Sequence, residues 1–370
     1  MKTFLTYKTK ELVDNSNKYY SINESKDLVK ILRDSKFGRP THVKLPKELG
    51  ILPETLGLIV GEGYVGDRSF VFANSNENAV DLVLGFLKQF KVPIRIYLEV
   101  STKNTPKAFV KKSKEFWENH LKIKLNRVRK REEFNNITKH GTIHLCMNGK
   151  IISEVIKNLV IKSKKKVEED KEFSVGYLKG IFAAEGNVNA KKTTNCLYMV
   201  RISSKKQDER DHYKRCLKSA GLNIYCRDMP SVSKEEGKQK GWKSDKGRAG
   251  CVIISRWENF VKILMLDLLG INSEKREKFI RGFINNKFTK QFLDFENFIN
   301  KKFIMKDAQL YFDFKGRHLN RLLTLHKLGY ASRENINNKF EYKLTEKYMD
   351  LYKKIKSELK LFQITPLLNS

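Results

Sequence analysis

Two stretches of this chain are apolar on every side of a helical wheel, and each ends in a glutamate followed by a glycine. The first is Leu56-Gly57-Leu58-Ile59-Val60-Gly61-Glu62-Gly63, the second Leu178-Lys179-Gly180-Ile181-Phe182-Ala183-Ala184-Glu185-Gly186. Apolar residues all round suit a short helix buried between two halves of a molecule. Shorter alternating and periodic segments follow each copy in similar order. After the first copy, Tyr64 to Asn76 reads as a hairpin, Ala79 to Phe90 as an amphipathic helix (Val80, Val83, Leu84, Leu87), and Ile94 to Leu98 as a strand. A strand at Thr142 to Cys146 and a helix from Ile151 to Ile161 close the unit, the helix ending in the lysine run 162–166. After the second copy come a hairpin (Asn187 to Lys192 and Cys196 to Ile202) and a helix at Asp208 to Ala220. Strands at Asn223 to Arg227 and Cys251 to Ser255 and a helix at Phe260 to Leu269 complete it. The pattern predicts a duplicated α+β unit of the order helix, two strands, helix, two strands, helix.

The glutamates stand 123 residues apart. Small residues fall four apart in each copy, Gly57 with Gly61 and Gly180 with Ala184, so each helix has a face on which a second backbone can approach closely. Gly63 and Gly186 are expected to supply the left-handed residue that ends a helix. Glu62 and Glu185 would then sit at helix C-termini, where the macrodipole disfavours negative charge by roughly 0.3–1 kcal/mol. Packed side by side, the two carboxylates also repel each other. A divalent cation between them reverses both penalties, and hard oxygen ligands with open positions suit Mg2+ and phosphodiester hydrolysis.

In these residues the chain resembles the LAGLIDADG homing endonucleases in their single-chain, two-motif form. Leu58 to Gly63 and Ile181 to Gly186 match the motif, with Glu where the family more often has Asp; Val60 and Ala183 replace an earlier Asp. Val43-Lys44-Leu45-Pro46-Lys47 is a familiar lead-in, and the resemblance covers about residues 40 to 290. It implies two pseudo-symmetric αββαββα halves (51–167 and 168–292) after an N-terminal extension (1–50), forming a saddle whose antiparallel sheets lie along the DNA major groove. It makes Glu62 and Glu185 the catalytic, metal-binding pair, with Gly61 and Ala184 beside them in the metal set and two or three Mg2+ ions near the pair. A lysine from each half would stabilise charge at the scissile phosphates. Lys275, in the turn after the last helix, is the second-half candidate, and Lys162 or Lys164 the first-half one. Water activation is expected from the metal ion or a solvent chain, since the seven histidines form no cluster.

Charge fits a polyanionic partner. Lys and Arg number 74 against 42 acids, a formal +32 over 370 residues, although part of this follows a general richness in Lys, Ile and Asn. Residues 103–131 alone carry 11 Lys or Arg and only Glu115 and Glu118 as acids. On the predicted strands Asn187, Asn189 and Lys191 share one face, and Lys192 and Arg201 extend that set. Arg68 and Phe70 share another; these residue types suit groove and phosphate contacts. The last residues, 293–370, read as two helices (Met305 to Phe312, Gly316 to Leu328), a hairpin around Asn337-Asn338 and a helix from Thr345. That order resembles a winged helix-turn-helix, with Arg317, His318, Asn320 and Arg321 on its recognition helix.

Other classes recede. No run of 18 apolar residues predicts a membrane span, and Met1 to Leu5 opens no secretory segment. Five cysteines without a C-x-x-C spacing suggest neither zinc nor a disulfide framework, so a reducing cytoplasm is expected; the resemblance implies a monomer acting on a long, asymmetric duplex. An intein is not expected, because splicing-junction residues do not flank the chain. The alternatives are a non-catalytic DNA-binding regulator on the same scaffold and an RNA maturase.

Overall fold

The computed structural model describes residues 4–13, 20–33, 41–101, 107–131, 138–222, 226–233, 235, 249–312, 319–336 and 339–364, the side chains of 226, 227, 309–312 and 319–321 excepted. An N-terminal layer comes first: β1 (Leu5–Lys8), β2 (Tyr20–Glu24), β3 (Leu28–Arg33), β4 (Thr41–Pro46) and β5 (Glu48–Ile51). It forms a β1–β5 ribbon and a β2-β3-β4 sheet.

The first motif helix is α1 (Pro53–Glu62), with proline in its first turn where its missing N–H costs nothing. It runs into β6 (Gly63–Val65) and β7 (Ser69–Asn74), then α2 (Glu77–Lys88), β8 (Arg95–Ser101), α3 (Lys107–Leu121), β9 (Val128–Arg131), β10 (Thr142–Asn148) and α4 (Lys150–Glu169). The second motif helix, α5 (Lys171–Glu185), leads to β11 (Gly186–Ala190), β12 (Leu197–Ser204), α6 (Gln207–Ser219), β13 (Cys226–Met229), β14 (Gly250–Ile254) and α7 (Trp257–Met265). The expected helix-strand-strand order thus occurs in both parts, within an α+β architecture. The first sheet has the order β6-β7-β10-β8-β9 and the second β11-β12-β14-β13.

Two local expectations need correction. Gly63 and Gly186 are not left-handed: their φ values are −80° and −69°, and the chain passes straight from helix into strand. Glycine is needed for closeness instead, since a Cβ would lie 2.4 Å from the Ile59 carbonyl oxygen or 2.3 Å from that of Phe182. The helix from residue 150 does not stop at the lysine run either. Ser163 and Val167 are fully buried and extend the stripe of Ile152, Ile156 and Leu159 by another turn and more, while the lysines project around it.

The centre of the molecule is the crossing of α1 and α5. An added Cβ would stand 2.2 Å from the Tyr177 carbonyl oxygen at Gly57, 2.1 Å from that of Glu54 at Gly180, and 2.5 Å from Ala184 Cβ at Gly61. The two backbones therefore touch along the faces that the small residues define. Beside α5, the His212 Nδ1–H donates to the Glu168 carboxylate, tying α6 to α4, and within α6 the Cys216 thiol lies 3.8 Å from His212 Nε2.

The remaining chain forms α8 (Ser273–Ile284), α9 (Lys287–Asp294), β15 (Lys302–Ile304), α10 (Met305–Phe312), α11 (Leu319–Lys327), β16 (Ala331–Ile336), β17 (Lys339–Leu344) and α12 (Glu346–Leu361), with a β15-β17-β16 sheet. Helices α8 and α9 were not anticipated. They join the C-terminal segment to the second unit, where Tyr348 donates to the Phe292 carbonyl at 2.8 Å and Arg276 pairs with the buried Glu358, and from α7 the Trp257 ring adds a contact to Tyr330 at 5.7 Å. Among the described residues no helix is long and apolar enough to cross a membrane.

Candidate functional site

Because α1 and α5 cross backbone to backbone and both run directly into strands, their last residues arrive at one place. Those residues are Glu62 and Glu185. Burial raises the Glu62 carboxyl to about 7, with Glu185 adding to the rise; Lys275 and the Asn74 amide, which donates to Glu62 Oε2, pull the other way. Glu185 is also raised, mainly by burial, with Lys275 opposing and Glu209 adding. Lys275 belongs to this centre from the other side. Burial lowers its amine while both glutamates support its charge.

Lys275 lies in the first turn of α8 rather than in a turn after the last helix, because Asn272 caps that helix by accepting from the Lys275 N–H at 3.0 Å. Its Nζ donates to the carbonyls of Phe182 (3.2 Å), Ala183 (2.5 Å) and Ala184 (3.0 Å), at the negative end of α5. The ammonium thus holds the helix terminus that carries Glu185 and stands in the field of both carboxylates.

Lys162 is not brought to the pair. Its amine, in the C-terminal half of α4, donates to the Glu11 carbonyl of the N-terminal segment at 2.6 Å, and Lys164 lies in the field of His212. Gly61 and Ala184 meet each other at the helix crossing. Asn74 is the member that sequence reasoning missed. A signal was present: β7 buries Phe70, Phe72 and Asn74 in strict alternation, so an asparagine occupies a position on the covered face.

Residues 172–293 match the family model of the LAGLIDADG-like domain. The matched segment is about a third of the chain and runs from the start of α5 into α9, so it contains Glu185 and Lys275. No curated protein matches the chain.

Within the LAGLIDADG-like segment, Asn187 of β11 stands directly across from Arg201 of β12, on the sheet face opposite buried Val188 and Ile202. A bulge at Asn189/Ala190 breaks the alternation there, and Lys191 and Lys192 are exposed in the turn beyond the strand. In the first unit Arg68 is exposed in the turn before β7, but Phe70 is fully buried under the helices and cannot meet a ligand. The open face of that strand belongs to Ser69, Val71 and Ala73. Arg317 lies outside the described residues; Asn320 and Arg321 sit on α11 by their backbone, their side chains outside the description. A polar cluster on the first sheet, Tyr97, Glu99, Arg129, Arg131 and His144, was not foreseen, because it depends on the pairing of three strands.

Among the described residues no three His, Cys, Asp or Glu side chains form a closed metal cage. The centre offers two hard carboxylates at adjoining helix ends, both raised chiefly by burial, with Lys275 opposing. That donor set fits a cation such as Mg2+, which keeps several waters and takes one or two carboxylates.

The raised carboxyl has a consequence for stability. A group whose folded pKa exceeds its unfolded value contributes stability below the unfolded value, here about 4.5, and loses it as pH rises through about 7. Glu62→Gln removes that penalty while keeping an acceptor for Asn74. In a chelator, the variant is expected to be more stable than wild type at pH 8, by about 3 kcal/mol at most, and equal to it near pH 4.5. Urea midpoints at the two pH values test this; a less stable variant at pH 8 contradicts it.

Proposed function

We propose that this protein is a site-specific DNA endonuclease that hydrolyses one phosphodiester bond in each strand of a long, asymmetric duplex and leaves short 3′ overhangs. The observation that carries this is the delivery of Glu62 and Glu185 to one centre by two glycine-packed helices, with Lys275 beside them. The match of residues 172–293 to the LAGLIDADG-like domain supports the same family of activities.

Glu62 and Glu185 would hold the divalent ions, one carboxylate serving each strand. When bound, such an ion polarises the phosphoryl oxygen and makes water a competent nucleophile at neutral pH. The chain supplies the rest. Lys275 places a fixed positive charge where negative charge develops on the phosphate, in a half-buried position that strengthens its effect. Asn74 orients the Glu62 carboxylate. The two sheets, with Asn187, Arg201 and their neighbours, meet the major groove, and the excess of 32 positive charges supplies phosphate contacts. The protein acts as a monomer, since both carboxylates come from one chain. The C-terminal β15-α10-α11-β16-β17 segment serves as a winged helix on flanking duplex.

Lys275→Met is expected to slow cleavage by about 10²–10³-fold with little loss of binding, measured by single-turnover kinetics; an unchanged rate removes Lys275 from the chemistry. A randomised duplex library incubated with the protein and Mg2+ tests the function itself. Discrete ends with a uniform 3′ stagger are expected. Selective recovery of bound but intact duplexes would instead favour the regulator, for which the C-terminal segment is the supporting feature, and selective binding of a structured RNA would favour the maturase.

A further inference from the structure

Within the basic stretch, residues 107–131 fold as α3 and β9, and β9 joins the edge of the first sheet in parallel, with Glu99 beside Arg129 and Ser101 beside Arg131. Cross-strand neighbours share a face. Arg129 and Arg131 therefore stand with Tyr97, Glu99 and His144, on the side away from buried Leu98, Val100 and Ile143. This is the open face of the sheet.

Both exposed guanidinium groups are held. Arg129 lies over the Tyr97 ring at 4.4 Å and donates from Nη1 to the Tyr97 hydroxyl at 3.2 Å. Tyr97 is itself buried, stacks on His144 at 4.5 Å and lies 3.1 Å from its Nδ1 through the hydroxyl. Arg131 Nε is 3.1 Å from Glu99 Oε2, and Glu99 also faces His144 Nε2 at 3.6 Å. Long cationic side chains on a solvated edge gain little from such a framework, because water already satisfies them. A planar guanidinium fixed in advance by a ring and a carboxylate loses less freedom when it meets a planar partner. Phosphate attraction alone needs no such fixing, since any mobile lysine provides it.

We propose that Arg129 and Arg131 read guanines in the major groove, each placing its paired donors on the O6 and N7 of one base. This rests on the duplex-binding reading given above. Strand β9 lies four positions across the sheet from β6, which begins next to Glu62. At roughly 4.8 Å per strand that is about 19 Å, so the guanines lie away from the cut rather than at it. Tyr97 and Glu99 act as positioning residues.

The test is selection of bound duplexes from a randomised library in a chelator, by wild type, Arg129→Ala, Arg129→Lys and Arg131→Ala. Each alanine variant is expected to lose preference for one guanine by roughly 5- to 150-fold, with the rest of the profile unchanged. Arg129→Lys should lose the same guanine while keeping more affinity, because it keeps the charge but not the two-pronged geometry. An unchanged profile with affinity lowered for all sequences overturns the proposal and leaves these arginines as phosphate contacts. A wild type that binds without any sequence preference overturns it together with the duplex-reading function.

Discussion

Glutamine at position 62 or 185 is expected to abolish double-strand cleavage while leaving duplex binding within about fivefold of wild type. The substitution keeps the size of the side chain and, at position 62, its capacity to accept the Asn74 bond, so the crossing of α1 and α5 should survive. It removes the charge for which each carboxylate is held in an unfavourable place. At a helix C-terminus, half-buried and facing a second carboxylate, Glu62 is costly to the fold, as its carboxyl raised to about 7 records. Stability alone would select against such a group, and under the proposed function a cation shared with Glu185 would supply the compensation. Loss of that ligand should lower the rate by about 10³-fold or more. A supercoiled plasmid carrying the target would show at most nicked circles with either variant. Binding is expected to persist because, on the proposed function, the formal +32 of the chain would supply many phosphate contacts independent of either carboxylate. Linear product at the wild-type rate from either variant would remove the carboxylates from the chemistry.

Gly180→Ala is expected to disrupt the fold at its centre, and Gly57→Ala nearly as much. Alanine improves helix propensity by up to about 1 kcal/mol. Against this, the new Cβ would meet the Glu54 carbonyl oxygen at 2.1 Å and Leu58 N at 2.7 Å, or from Gly57 the Tyr177 carbonyl oxygen at 2.2 Å. These are backbone atoms of the facing helix, so no side chain can swing aside and the helices must separate. Overpacking of this kind costs about 3 kcal/mol or more, and the net effect is destabilising. Separation also moves Glu62 away from Glu185, so activity should fall even where the protein remains folded. Urea unfolding measures the first effect, and a midpoint at or above wild type for Gly180→Ala would contradict the close crossing.

The motif helices were legible because their signals are local. Small residues four apart mark the contact face, and a buried apolar run ending in Glu-Gly marks where the carboxylates go. Most strands and helices could be read for the same reason, down to the start of α12 at Thr345, where the structure adds that its hydroxyl caps the helix by accepting from the Tyr348 N–H. What escaped depends on partners distant in the chain. Lys275 could be nominated but not placed, since Asn272 as a helix cap and the α5 carbonyls as acceptors lie on different elements. Lys162 looked equivalent to it until Glu11 claimed its amine. Alternation from Arg68 puts Phe70 on the groove face, yet Arg68 is in a turn and β7 keeps its own parity, with Phe70, Phe72 and Asn74 inward. The Tyr97–Arg129 cluster needs β9 paired beside β8, a parallel pairing that no run of residues announces.

Both strands of a library-selected duplex, each labelled, are to be followed after Mg2+ is added to the bound wild-type protein. Cleavage of both strands is expected at positions offset to give a 3′ overhang, blocked by EDTA and absent with Glu185→Gln bound to the same duplex. A duplex that stays intact under the bound wild type, or is cut equally by Glu185→Gln, would contradict the proposed function.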